Sequence, residues 1–332
     1  MRGMDINMSN SKIQESAFVN QSIKKRLFSN DNIFLLLGLI VYIIICSIIA
    51  PNFATGYNLS IVLEQLAVPG ILSVGMCILM ISRGIDLSVG TLLSFAACFM
   101  AWLISGGTSV AVAILLGILI CVGCNFLMGL LLSRTTLEPF IVSVGAMIIY
   151  KGFALITTNG AEYPIPGKFG FATNIRFLNL PLMVYIMIVV YIIFALLLRY
   201  TKFGRWLYAV GDNDEASFLA GINVKNFKLL IYVINGLVIA LATILMLSRN
   251  EVGNPYLGTD LEMRAIASAV VGGTALSGGK GNVIGTLLGT IWMGIISNSL
   301  NVIGVSAFWQ YVVTGGIIVV AVLANNLRYK MA

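Results

Sequence analysis

Apolar residues fill this chain in long runs that show neither the 3.6-residue stripe of a surface helix nor the two-residue alternation of a half-buried strand. Ten runs stand between polar or Gly/Pro-containing breaks, near residues 33–50, 59–82, 88–105, 109–131, 139–157, 181–199, 228–248, 264–277, 283–303 and 308–326. A helix needs about 20 apolar residues to cross about 30 Å of hydrocarbon, because each backbone group must be satisfied within the segment. The pattern therefore predicts an all-α integral membrane protein of about ten transmembrane helices. The eighth run is short and is expected to be broken or strongly buried. Residues 1–30 read as a polar cytoplasmic segment, and residues 31–332 as a single transmembrane domain with a long polar loop at 200–227. The first run has no A-x-A-like site after it and reads as an anchor helix, not a removable signal.

Composition sharpens this picture and removes several classes of function. Of 332 residues, 59% are hydrophobic and 10% charged, against about 25% charged in an ordinary soluble domain. The chain lacks histidine, and with it the usual general base, metal ligand and pH switch. Cys46, Cys77, Cys98, Cys121 and Cys124 all fall in apolar runs, where they read as packing residues; the Cys121-x-x-Cys124 pair has no second pair to complete a metal site. The net charge of +7 reports topology. With the N-terminus inside, 15 of the 20 lysines and arginines fall on the inner side, so both termini are expected in the cytoplasm. The basic excess then faces an anionic leaflet of the lipid bilayer and does not point to nucleic acid.

The run VVGGTALSGGKGN, residues 270–282, invites comparison with a phosphate-binding loop and fails it. The first glycine of G-x-x-x-x-G-K-[ST] falls on Thr274, and Lys280 is followed by Gly281. Its glycines instead suit a tight turn and close helix approach. An earlier stretch, SRGIDLSVGTLLS (82–94), aligns with SGGKGNVIGTLLG (277–289) at Ser82/Ser277, Gly84/Gly279 and the whole of GTLL. Paired glycine-broken hairpins in two halves of a transporter often flank the translocation path, which makes Asp86, Ser88, Gly90, Gly279 and Gly281 hairpin and pathway candidates. Asp86 stands out, since a carboxylate within a bilayer is costly; its alternatives are a pair with Arg83 or a cap on the following helix. The amides Asn125, Asn235, Asn298, Asn301 and Gln310 lie in or near spans, where they could hydrogen-bond a polar solute or tie helices together.

The longest inner loop, RYTKFGRWLYAVGDNDEASFLAGINVKNFK (199–228), is too polar to enter the membrane, yet Trp206, Tyr208, Phe218 and Leu219 need a covering surface. Asn213 or Asp214 is expected to cap a short helix over 214–220 ended by Gly221. Such a helix suits insertion into a groove on a partner.

Four stretches carry a resemblance: GIDLSVGTLLS (84–94), TKFGRWLYAVGDNDEASFLAGINV (201–224), AIASAVVGGTALSGGKGNVIGTLLG (265–289) and NSLNVIGVSAFWQYVVTGGIIVVAVL (298–323). Over roughly residues 30–326 the chain resembles the permease subunits of bacterial ABC importers, in the ribose and related monosaccharide branch, akin to the branched-chain amino-acid permeases. The resemblance implies the ABC-importer permease fold, a second permease copy or a homologue completing the path, a separate ABC ATPase subunit holding ATP and Mg, and a solute-binding protein delivering sugar to outer loops at 159–180 and 249–263. No cofactor is expected in this chain itself. EASFLAG, with Glu215, Ala216 and Gly221, is similar to the E-A-A-x-x-x-G coupling element, and Gly204, Arg205, Gly211 and Asn213 belong to the same stretch. Lys168, Arg176 and Arg249 are candidates for docking the receptor. Where many relatives carry an acid after Glu262-Met263, this chain has Arg264. A second substrate reading is another small solute, such as a nucleoside or an autoinducer sugar. A different class, the ion-coupled secondary transporter, would draw on Glu64, Asp86 and Lys151.

Overall fold

A computed structural model describes residues 30–50 and 52–331. The polar segment before Asn30, with its five basic residues, lies outside them. Five helices come first among the described residues: α1 (Asn30–Ile49), α2 (Gly56–Ile81), α3 (Val89–Ser105), α4 (Val110–Arg134) and α5 (Pro139–Thr158). An outer excursion follows, with β1 (Tyr163–Pro164), the one-turn α6 (Phe171–Asn174) and the hairpin of β2 (Arg176–Phe177) and β3 (Leu180–Pro181). The chain returns through α7 (Leu182–Tyr200) to two cytoplasmic helices, α8 (Lys202–Asp212) and α9 (Asp214–Leu219). It then continues through α10 (Val224–Asn250), β4 (Val252–Gly253), α11 (Leu261–Val271), α12 (Val283–Ile303) and α13 (Ala307–Met331). Seven of the described helices are long and apolar enough to cross a membrane, and α3 is a shorter apolar helix. All ten runs of the sequence appear as helix, so the all-α membrane architecture stands, while the count of ten full spans is approximate.

Burial ranks the helices by position. Every residue of α2 from Leu66 to Ile81 except Pro69 is buried, and helices α7, α10, α11 and α12 surround it. A helix apolar on all sides must be kept from water by other helices or by lipid, and here helices cover it. At the periphery, α1, α4 and α5 keep large side chains such as Phe34, Leu119 and Ile149 exposed, as lipid-facing helices must. Polar ties join the pieces: Trp292 Nε1 donates to the Leu35 carbonyl at 3.0 Å, and Tyr42 shares a 2.8 Å hydrogen bond with Ser299. These lock α1 onto α12. Glycines also shape the most extensive helix pairing, α4 on α10, where a Cβ at Gly236 would stand 2.9 Å from the Cys121 carbonyl oxygen.

The eighth run is resolved differently from its expected bounds of 264–277. Helix α11 covers only Leu261–Val271, about 16 Å at 1.5 Å per residue, and residues 272–282 are non-helical. The preceding stretch, expected as an outer loop over 249–263, instead runs inward along α3. β4 pairs with β1, a Cβ at Gly253 would touch Ala101 at 2.6 Å, and a Cβ at Gly258 would stand 2.0 Å from the Gly90 carbonyl oxygen. Five residues of non-helical, turn-bonded chain thus pass from the outer half of α3 to its first turn, with Leu257 N–H on the Asn254 carbonyl at 3.1 Å. The Gly258 amide is satisfied there by Ser94 Oγ at 2.8 Å. Non-helical backbone at membrane depth is tolerated only where protein covers it, and Gly253, Pro255 and Gly258 are buried.

Candidate functional site

The two aligned glycine stretches meet in space. Gly279 N–H donates to the Ile81 carbonyl at 2.9 Å, and a Cβ at Gly281 would stand 2.5 Å from Ile81 Cγ1. Both GTLL motifs open a helix, in the first turns of α3 and α12. Their first glycines do the same work: a Cβ at Gly90 would stand 2.2 Å from the Gly258 carbonyl oxygen, and one at Gly285 2.1 Å from that of Gly272. Gly258 and Gly272 flank α11, so the repeat glycines hold the half-helix near its two ends.

The break before α3 lies deep in the bundle. Asp86, fully buried, accepts from Ser88 N–H at 2.8 Å and Ser88 Oγ at 2.5 Å on one oxygen, and from Asn235 Nδ2 at 3.1 Å on the other. The same amide nitrogen donates to Asn125 Oδ1 at 3.1 Å. Asn235 stands about 16 Å from the inner end of α10 and about 22 Å from its outer end. Asp86 thus caps the turn entering α3 and ties it to α10 and α4. Arg83, its other offered partner, points elsewhere.

Arg83 faces the cytoplasmic helices. Its Nε donates to the Gly211 carbonyl at 2.8 Å, and its Nη2 to the Asp212 carbonyl; these are among the last carbonyls of α8, left without intrahelical partners. Gly211 admits no side chain, since a Cβ there would lie 1.8 Å from the Ile81 oxygen. Tyr208 OH donates to the Gly281 carbonyl at 2.9 Å. The end of α8 is therefore bonded to both hairpin turns at once. Gly204 serves the other end, where a Cβ would stand 2.0 Å from the Leu198 oxygen.

Next along the chain, α9 forms as its sequence signals require. Asn213 Oδ1 accepts from Ala216 N–H at 2.9 Å, and Gly221 takes φ +88° with nothing crowding it, so its role is conformational. Asp214 pairs with Lys228 of α10. Ser217 is buried, while Glu215, Ala216, Phe218 and Leu219 are exposed, the last two by 69% and 85%. Arg205 is also exposed.

On the outer side, Arg176 and Arg249 both lie 3.7 Å from the Glu64 carboxylate, and Lys168 is exposed. Lys151 sits over the Tyr256 ring, 5.4 Å from its centroid. Glu251 ends α10 and takes the Gly167 and Phe169 N–H groups at 3.0 and 3.1 Å; these bonds, the Gly167 one first, hold its carboxyl below the usual glutamate range. Of the amides, Asn298 pairs reciprocally with Asn58 of α2 at 2.8 and 3.0 Å, and Gln310 donates to Asn301 at 2.6 Å. Among the described residues no group of three or more metal-ligating side chains converges.

Sequence reasoning gave Arg83 only as an inner-side charge and an offered partner of Asp86, and Tyr208 only as a side chain needing cover; their bonds at the junction went unread, as did Gly278, where a Cβ would stand 2.3 Å from Arg83 Cγ. Helix α8 was missed as well, despite Leu207, Val210 and Gly211 recurring on one buried face.

A bundle of membrane helices, with two glycine-broken hairpins bonded to one cytoplasmic helix end, defines the protein as a multi-pass membrane protein. The chain belongs to the family described as branched-chain amino acid transport system / permease component, whose model matches residues 58–322. It is 39% identical over 297 residues to the ribose import permease protein RbsC of Bacillus subtilis, covering 88% of this chain and 92% of that one. It is 35% identical over 302 residues to RbsC of Escherichia coli K12, covering 88% and 93%. The L-arabinose transport system permease protein AraH of E. coli K12 is 32% identical over 301 residues, covering 90% and 92%. No solved structure was found to match. The protein is a multi-pass permease of this family in the bacterial cytoplasmic membrane.

Proposed function

We propose that this chain is the transmembrane subunit of an ATP-driven importer that translocates a monosaccharide, a ribose-like pentose or a hexose, delivered by a solute-binding protein. ATP and Mg belong to a separate ATPase that receives α9, and a second permease, identical or homologous, completes the path. The observation that carries this reading is the exposed Phe218–Leu219 tip of α9, six residues beyond an α8 end bonded to both hairpin turns. Apolar side chains held out on a capped six-residue helix suit a groove on another protein. The similarity to ribose and arabinose permeases supports the sugar class.

Affinity purification of the tagged chain from its native host tests the reading. An ATP-binding subunit should co-purify in stoichiometric amount and be lost with Leu219→Glu, which alters a side chain that touches little of its own protein. Gly221→Arg should abolish uptake while the protein still reaches the membrane. A homo-oligomer that takes up sugar in liposomes without ATP would overturn the proposal and favour ion coupling.

A further inference from the structure

Between α11 and α13 lies a cavity of about 390 Å³ lined by Asp260, Met263, Arg264, Gln310, Tyr311 and Thr314. Its depth follows from the packing of α11 on α12. A Cβ at Gly289 would meet the Ser268 oxygen at 2.1 Å and one at Gly285 the Gly272 oxygen at 2.1 Å. Extended along the antiparallel pair, this register sets Arg264 at the height of Met293, the eleventh of the 21 residues of α12. The Arg264 guanidinium thus stands near the middle of a span, with the Asp260 carboxylate about one helical turn farther out, where a charge that faces lipid is costly. No salt bridge joins Arg264 to a carboxylate among the described residues. Groups of this kind at this depth line water-filled paths.

We infer that this cavity is a transit site for a neutral monosaccharide; the inference rests on the transport reading above and adds the place of contact. The lining suits a polyol. Arg264 only donates, Asp260 only accepts, and the Gln310 amide and Thr314 hydroxyl do both, which matches hydroxyl groups that each donate and accept. Opposite charges one helical turn apart leave the lining without net charge, so an ion gains little. The first turn of α11, whose N-terminus would attract an anion, already carries Asp260 and Glu262. Tyr311, 61% exposed, offers a ring for the C–H face of a sugar. The volume falls in the range of small-molecule sites, about 300–1,000 Å³.

The test is thiol labelling in membranes that carry the whole transporter. Thr314→Cys and Met263→Cys are compared with Leu119→Cys, on the lipid-facing side of α4, using a charged methanethiosulfonate that needs an aqueous thiolate. Both cavity positions should react on the order of tenfold faster than Leu119→Cys, and millimolar D-ribose or L-arabinose should slow them several-fold while L-leucine does not. Labelling no faster than at Leu119→Cys would overturn the inference by showing a lipid-filled groove. Fast labelling that no sugar slows, or that L-leucine slows instead, would overturn it too. ATP-dependent sugar uptake by the wild-type transporter is measured alongside, so loss of the transport reading shows there and failure of the site shows in the labelling alone.

Discussion

Replacing Arg83 tests whether the cytoplasmic helices act on the hairpins through side-chain bonds. Arg83→Ala removes two hydrogen bonds from a charged group to the Gly211 and Asp212 carbonyls. Such bonds contribute about 1.5–3 kcal/mol each when buried; here one is half-buried and the other exposed, so the lower bound applies and the pair is worth about 2–3 kcal/mol. At 1.4 kcal/mol per factor of ten, the docked arrangement loses roughly 30- to 100-fold in population against the undocked one. The backbone gives an internal control. Arg83 takes φ +64°, which costs a residue with a Cβ about 1–2 kcal/mol and glycine almost nothing. Arg83→Gly should therefore melt at a higher temperature than Arg83→Ala while being equally uncoupled. The assay is uptake per ATP hydrolysed in proteoliposomes containing the whole transporter. ATP hydrolysis should persist in both variants while uptake falls on the order of tenfold or more, and Arg83→Lys should restore part of it through one bond. Wild-type uptake per ATP in Arg83→Ala would refute the reasoning, whatever the variant's stability.

Two further outcomes follow from side chains that hold the irregular backbone. Asp86→Ala strands the Ser88 amide and hydroxyl and one Asn235 bond in the interior, each worth about 1–3 kcal/mol, so its melting temperature in detergent should fall well below that of Asp86→Asn, which keeps an acceptor for Ser88; equal melting would show that the carboxylate holds nothing. Glu251, whose carboxyl is held low by the Gly167 and Phe169 amides, stabilises the outer loop above the ordinary glutamate value near 4.3, and this part is lost as pH falls through the lower folded value. Protease nicking of the 159–180 loop should thus increase on acidification below about pH 4 in the wild type, and Glu251→Gln should be nicked already at neutral pH; pH-independent nicking of the wild type would count against the bonds.

The runs of apolar residues determined by themselves that the chain is a helical membrane protein, and roughly where its helices lie. Hydrocarbon leaves the backbone one open-chain solution, so length and hydropathy are enough. The cap and stop of α9 were equally legible, because Asn213 and Gly221 act on their own neighbours. What only the tertiary structure decided is where the helices are interrupted and what the interruptions touch. The entry of 252–258 along α3 depends on Gly253 and Gly258 finding Ala101 and Gly90, contacts between residues more than 150 positions apart. Asp86 was singled out by its sequence, but its choice of Ser88 and Asn235 over Arg83 depends on a helix that arrives 149 residues later. The alignment of 82–94 with 277–289 hinted at a shared role, and only the folded chain showed the two turns bonded to each other and to one helix end. Local signals write local structure; a contact across the bundle is set by shape and polar satisfaction at both of its ends, and neither end alone records it.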